Sequence, residues 1–135
     1  MSGNLAAPNH PGVTVHLSSP DPARLLIAPN ATTVGTGSLD IDIPPGSSFF
    51  SYVVQAVEGQ QLGTVTVTSK ATGFADDTAQ INIVQPACDV AGLTQSTNTL
   101  DPDDPFFVRI GIPSGGASPA FIQEYQSLRT GGQPV

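Results

Sequence analysis

The chain has no tryptophan, one methionine and one cysteine among its 135 residues, and Lys70 is its only lysine. A lone thiol, Cys88, excludes an intramolecular disulfide, including the inter-sheet bridge of antibody-type domains, and cannot hold zinc by itself. It reads as a small apolar residue at a strand end or linker, because no histidine or cation stands near it in sequence. Stability must therefore come from packing, for which a hydrophobic content of 39% supplies one core. Cations are equally scarce. Arg24, Lys70, Arg109 and Arg129 are scattered against 11 acidic residues, and the net charge is −7. Counterion release on a phosphate backbone needs clustered Lys or Arg, so nucleic-acid binding is excluded, and an anionic membrane surface is disfavoured on the same ground. No run approaches the ~18 apolar residues of a membrane span, and no membrane insertion is expected.

Catalytic groups are thin. Of the two histidines, His10 stands in a linker, and His16 falls on the wet face of a strand among Thr and Ser. Neither has a nucleophile or acid beside it. There is no G-x-S-x-G elbow. Gly35-Thr36-Gly37 lacks the third glycine and following helix of a dinucleotide site. The expectation is a non-enzyme without a cofactor. Asn30-Ala31-Thr32 matches the glycosylation acceptor pattern, which matters only in a eukaryotic secretory route.

What is abundant points to β structure. Fourteen glycines and 13 prolines interrupt any long helix. From Gly63, GTVTVTSKATGF alternates Val65 and Val67 with Thr64, Thr66 and Thr68, the period of a strand with one buried face. Residues 13–18 alternate in the same way, with Val13, Val15 and Leu17 inward, and SPDP then forces a turn. A short apolar piece runs over 25–28. Leu39, Ile41 and Ile43 face the core in 38–43, which Pro44-Pro45-Gly46 closes. Residues 49–58 are apolar on both faces and read as one central strand with its wet face partly covered. Ile81 and Ile83 point inward in a final strand over 79–84. Six short strands at spacings of roughly 8 to 12 residues predict an antiparallel sandwich rather than a parallel sheet.

The "SSPDP" turn after the first strand, the "PPG" turn before the aromatic strand and the "GTVTVTS" strand occur in the order found in bacterial immunoglobulin-like (Big-type) repeat domains of cell-surface or secreted proteins. The chain resembles that family over roughly residues 10 to 85. The segment from Asn30 to Gly37 departs from the pattern in being loop-rich. The resemblance implies an all-β, immunoglobulin-like antiparallel β-sandwich over 10–86, preceded by a linker over 1–9.

Residues 87–135 are expected to be a C-terminal extension that docks on the sandwich or the start of a next repeat. Residues 106–112 read as a strand, with Phe106, Val108, Ile110 and Ile112 on one face. Ser118 and Pro119 read as an N-cap and first helical position, and Phe121, Ile122, Tyr125 and Leu128 then line one face of a short helix over about 119–129. Between strand and helix-forming segments of this tail and Pro86 lies LDPDDP, where Asp101, Asp103 and Asp104 are candidate calcium ligands, although the D-x-D-x-D-G spacing is missing and solvated turn acids are the simpler reading.

The functional expectation is a non-catalytic structural or interaction module, acting in adhesion or as a spacer, in an exported bacterial multidomain protein. Its partners would be neighbouring repeats of the same chain and a protein or glycan ligand. The MSGNLAAPNHPG start has neither a basic nor an apolar leader region, so signal and anchor are expected outside this segment. The alternative is a carbohydrate-binding accessory module of an extracellular glycan-degrading enzyme, with Tyr52 and Tyr125 or a phenylalanine as stacking platform and Asp side chains on hydroxyls.

Overall fold

The computed structural model describes residues 1–114 and 122–132. Among them every regular element is a strand, and all pairings are antiparallel. Two compact units divide the chain. The first runs over Met1–Ile83 and takes in the segment from Arg129 onward; the second is Val84–Leu128.

Unit 1 contains β1 (Ser2–Asn4), β2 (Val13–Ser18), β3 (Leu25–Ala28), β4 (Ser38–Ile43), β5 (Phe49–Ser51), β6 (Val53–Ala56), β7 (Gly63–Ala71) and β8 (Asp77–Ile83). One sheet has the order β4-β2-β7-β8; β3 pairs with β6, and β1 with β5. The alternation read in β2 and β7 places Val15, Leu17, Val65 and Val67 in the core with Ile43 and Ile83, where they meet Leu25 and Ile27 of β3, Tyr52 and Leu5. Each such side chain contributes about 1.5–3 kcal/mol when fully buried, and this cluster holds the layers together. The opposite face is polar. There Asp40, His16 and Lys70 stand in one cross-strand row, with His16 Nδ1 2.5 Å from Asp40 and Lys70 2.7 Å from Asp76. Exposed pairs of this kind add little stability but keep the face soluble.

The turn before β5 follows from its residues. Pro45 fixes φ at the first central position, Gly46 takes φ 79° at the second, and the Ser47 N–H donates to the Pro44 carbonyl at 3.2 Å.

Three expectations require correction or extension. The 49–58 run is two strands, because it changes partner at Tyr52: Phe49–Ser51 pairs with β1 and Val53–Ala56 with β3. That switch explains the missing alternation, since Phe49 is exposed while Tyr52 and Gln55 are buried. The 1–9 segment contributes β1 and the buried Leu5 rather than serving only as a linker. Backbone pairing needs no apolar pattern there, and Gly3 leaves room for the Phe50 ring, which a Cβ at that position would meet unless the ring shifted. Finally, the helix over 119–129 is absent from the described part of that span. Residues 119–121 lie outside the described residues, and Ile122–Tyr125 is a strand.

Unit 2 explains that last correction. It contains β9 (Ala87–Ala91), β10 (Phe107–Pro113) and β11 (Ile122–Tyr125), in the order β11-β10-β9. A helix of about ten residues is marginal in water without a surface to cover its apolar face. The β10 edge instead offers backbone partners, Gly111 to Tyr125 and Ile112 to Glu124, to a segment rich in strand-forming side chains. The β9–β10 ladder is pinned by Arg109, which donates to both carboxylate oxygens of Asp89 at 2.8 and 2.6 Å. Val90 faces Val108 and Cys88 faces Ile110, all of them exposed, and Phe106 is exposed at the start of the same strand region.

The segment after unit 2 belongs with unit 1. Arg129 donates to Glu58 at 2.6 Å, and the Thr130 hydroxyl donates to the Ala31 carbonyl at 2.8 Å. The guanidinium hydrogen bond lowers the Glu58 pKa.

Candidate functional site

Unit 1 carries a cleft of about 460 Å³ between β1 and the turn that joins β7 to β8. Its origin is a mismatch in strand length. β7 and β8 are nine and seven residues long, whereas β1 and β5 have three residues each. The opposing layer is therefore short beside this end of the sheet. Leu17, Val67 and Tyr52 reach the cleft from the core, and Phe50 and Phe74 flank it. The Phe50 and Tyr52 rings stack with centroids 6.2 Å apart. Phe74 is met edge-on by His10, whose Nδ1 accepts from the Gly12 N–H at 3.1 Å. The other nitrogen, Nε2, then carries the proton and donates to the Ser47 carbonyl at 2.8 Å.

Two carboxylates border this apolar lining. Asp76 faces Lys70, whereas among the described residues no cation lies within ion-pair distance of Asp77, which accepts the N–H of Thr78 at 2.8 Å. Burial raises the pKa of the Tyr52 hydroxyl, and the negative charge of Asp77 raises it further, so the phenol stays protonated and available as a donor. The cleft thus combines an apolar lining with carboxylates at its rim.

Of the candidate site residues read from the sequence, Tyr52 lines this cleft, Asp101, Asp103 and Asp104 do not, and the side chain of Tyr125 lies outside the described residues. Tyr52 is only 7% exposed and stacked on Phe50, so it presents no open ring face as a platform. Asp101, Asp103 and Asp104 lie in the β9–β10 connection of unit 2. Asp101 accepts from the Asn98 N–H at 2.9 Å and from the Asn98 side chain at 2.7 Å, and Asp104 accepts from the N–H and hydroxyl of Thr94 at 2.8 and 2.7 Å. Those bonds hold Asp104 below the usual carboxylate range. No group of three His, Cys, Asp or Glu positioned to hold a metal ion occurs among the described residues. Because Asp101 and Asp104 already serve the turns, millimolar calcium is expected to leave the melting temperature nearly unchanged in calorimetry. A saturable rise that disappears in Asp103→Ala would make the loop a calcium site.

The sequence offered one signal for the cleft, the aromatic residue after the β7 strand. The contribution of β1 left none, since Ser2–Asn4 has no strand pattern. Comparison with known proteins gives no match, whether to family models, to curated protein sequences or to solved structures.

Proposed function

We propose that this chain is a structural and interaction module of a bacterial cell-surface or secreted multidomain protein, built on an immunoglobulin-like sandwich of the Big type, in which unit 1 serves as a load-bearing spacer. One observation carries the spacer reading. β2 and β8 both pair antiparallel to β7, so they run in the same direction. The chain enters the four-stranded sheet at Val13, beyond the level of Ala71, and leaves it at Ile83, which pairs with Gly63. These points lie at opposite ends of the sheet, roughly 33 Å apart along the strands at a rise of ~3.3 Å per residue. Tension between them acts along the strands and across the ladder hydrogen bonds, which run perpendicular to it. All bonds of a ladder then resist together. The acidic composition and the "SSPDP", "PPG" and "GTVTVTS" motifs in family order support the exported, repeat-bearing context.

Single-molecule pulling tests this reading. In a Cys88→Ser background, handles at Thr14→Cys and Asn82→Cys load the sheet in shear. Handles at Thr64→Cys and Asn82→Cys, directly opposite each other, unzip β7 from β8. The shear geometry is expected to unfold at several times the force of the unzipping one. Equal forces in the two geometries would remove the mechanical argument.

A further inference from the structure

Among the described residues of unit 1, β8 is an edge strand. Its seven residues pair there with β7 alone, and the register runs without a shift from Gly63 opposite Ile83 to Ser69 opposite Asp77. Along such a strand, alternate N–H and C=O groups point away from the partner and await another backbone. Natural edges are usually blunted by lysine, proline, a bulge or charged side chains. β8 has none of the first three, and its single charge is at its first residue. The opposite edge, β4, carries Asp40 and Asp42 within its six residues. On the inner face of β8, Ile81 is only partly buried against the core, and Ala79 lines the cleft.

The charge distribution says what fits there. All four Lys and Arg side chains already face carboxylates: Arg24 faces Asp21, Lys70 faces Asp76, Arg109 faces Asp89 and Arg129 faces Glu58. Among the described residues, no cation lies within ion-pair distance of Asp77, at the start of β8 and on the cleft, in a protein of net charge −7. A second copy would bring the same excess of negative charge to this edge. We propose that the free edge of β8 and the cleft beside its first residue form an acceptor for an extended, basic segment of a partner polypeptide. The segment adds as a fifth strand, its inward apolar residues cover Ile81, and one Lys or Arg lays its aliphatic stem along Phe50 and Phe74 with its cation on Asp77. This assignment rests on the reading of the chain as an interaction module.

The probe is a seven-residue acetylated peptide alternating valine and threonine with one lysine, added to the full chain. Amide exchange by nuclear magnetic resonance is expected to slow at alternate residues between Asp77 and Ile83. The same peptide with glutamate for lysine should bind about tenfold more weakly, and Asp77→Asn should remove most of that difference. A version N-methylated on the amides that face β8 should give no protection. Unslowed β8 exchange with the lysine peptide, equal binding of the lysine and glutamate forms, or protection by the N-methylated form would overturn the acceptor. A dimer in sedimentation equilibrium that itself protects β8 would assign the edge to a second copy instead. The pulling experiment is independent: a failed peptide with intact mechanical anisotropy removes the acceptor alone, and the reverse removes the spacer alone.

Discussion

Ile27→Ala is expected to destabilise unit 1 by about 3–5 kcal/mol, the upper part of the range for truncating a buried aliphatic side chain. Ile27 is fully buried and lies in the core cluster with Leu25 and Tyr52. Its backbone is fixed on both sides, by Val54 in the β3–β6 ladder and by reciprocal bonds with Thr36 at 2.7 and 2.9 Å. The strand therefore cannot move inward to fill the void. Leu17→Ala makes the useful comparison. Leu17 is just as buried but borders the cleft, so its vacated volume opens onto space that already exists. A smaller loss, about 2–3 kcal/mol, is expected there. Urea midpoints followed by core methyl resonances of Val65 and Val67 would give both values. A domain of this size has about 5–15 kcal/mol in total, so the Ile27 variant should be visibly marginal. If Leu17→Ala were the costlier of the two, the cleft would be closed in solution.

These two residues also show what was legible in the sequence. Leu17 was readable because β2 alternates, and alternation reports directly which face meets the core. The boundaries of β2, β3 and β4 follow from the same pattern together with SPDP, Pro29 and Pro44-Pro45-Gly46. Features without a side-chain period were not readable. β1 is held by backbone pairing and by the space above Gly3, and neither leaves a pattern. The partner switch at Tyr52 looks in sequence like one long buried strand, since both halves are apolar for different reasons. The 122–125 segment carries apolar residues at positions compatible with helix or strand, and the deciding factor, a free edge on β10, is distant in sequence. The cleft was illegible for the same reason, because it arises from unequal strand lengths in two layers. The carboxylates of LDPDDP were visible as a cluster, but their partners Thr94 and Asn98 were not.

Gln55 is the least expected core residue, and its replacement tests how the loop-rich stretch before β4 is held. It is 5% exposed in β6. Its side-chain oxygen accepts the buried Gly35 N–H at 2.9 Å, and its amide nitrogen donates to the Thr33 carbonyl at 2.9 Å. A Cβ at Gly35 would come within 2.8 Å of that oxygen, so only glycine lets the loop approach this closely. One side chain thus supplies both backbone partners of a segment that has no ladder beyond the bridge at Thr36. Gln55→Leu keeps the volume but leaves a buried donor and a carbonyl without partners, at about 1–3 kcal/mol each. The expected loss is about 2–4 kcal/mol, with faster amide exchange over Thr33 to Thr36. Gln55→Glu separates the two bonds. An ionised carboxylate still accepts from Gly35 but faces the Thr33 carbonyl, whereas the protonated acid can donate to it. Burial and that carbonyl raise the folded-state pKa of the introduced carboxyl above its unfolded value. Its stability contribution is therefore fully present below the unfolded pKa and is lost as pH rises through the folded one. Relative to the unsubstituted chain, Gln55→Glu should be closest in stability near pH 4 and fall behind toward pH 8. A difference that does not change with pH would mean that the side chain turns out to solvent and that the loop is held by other contacts.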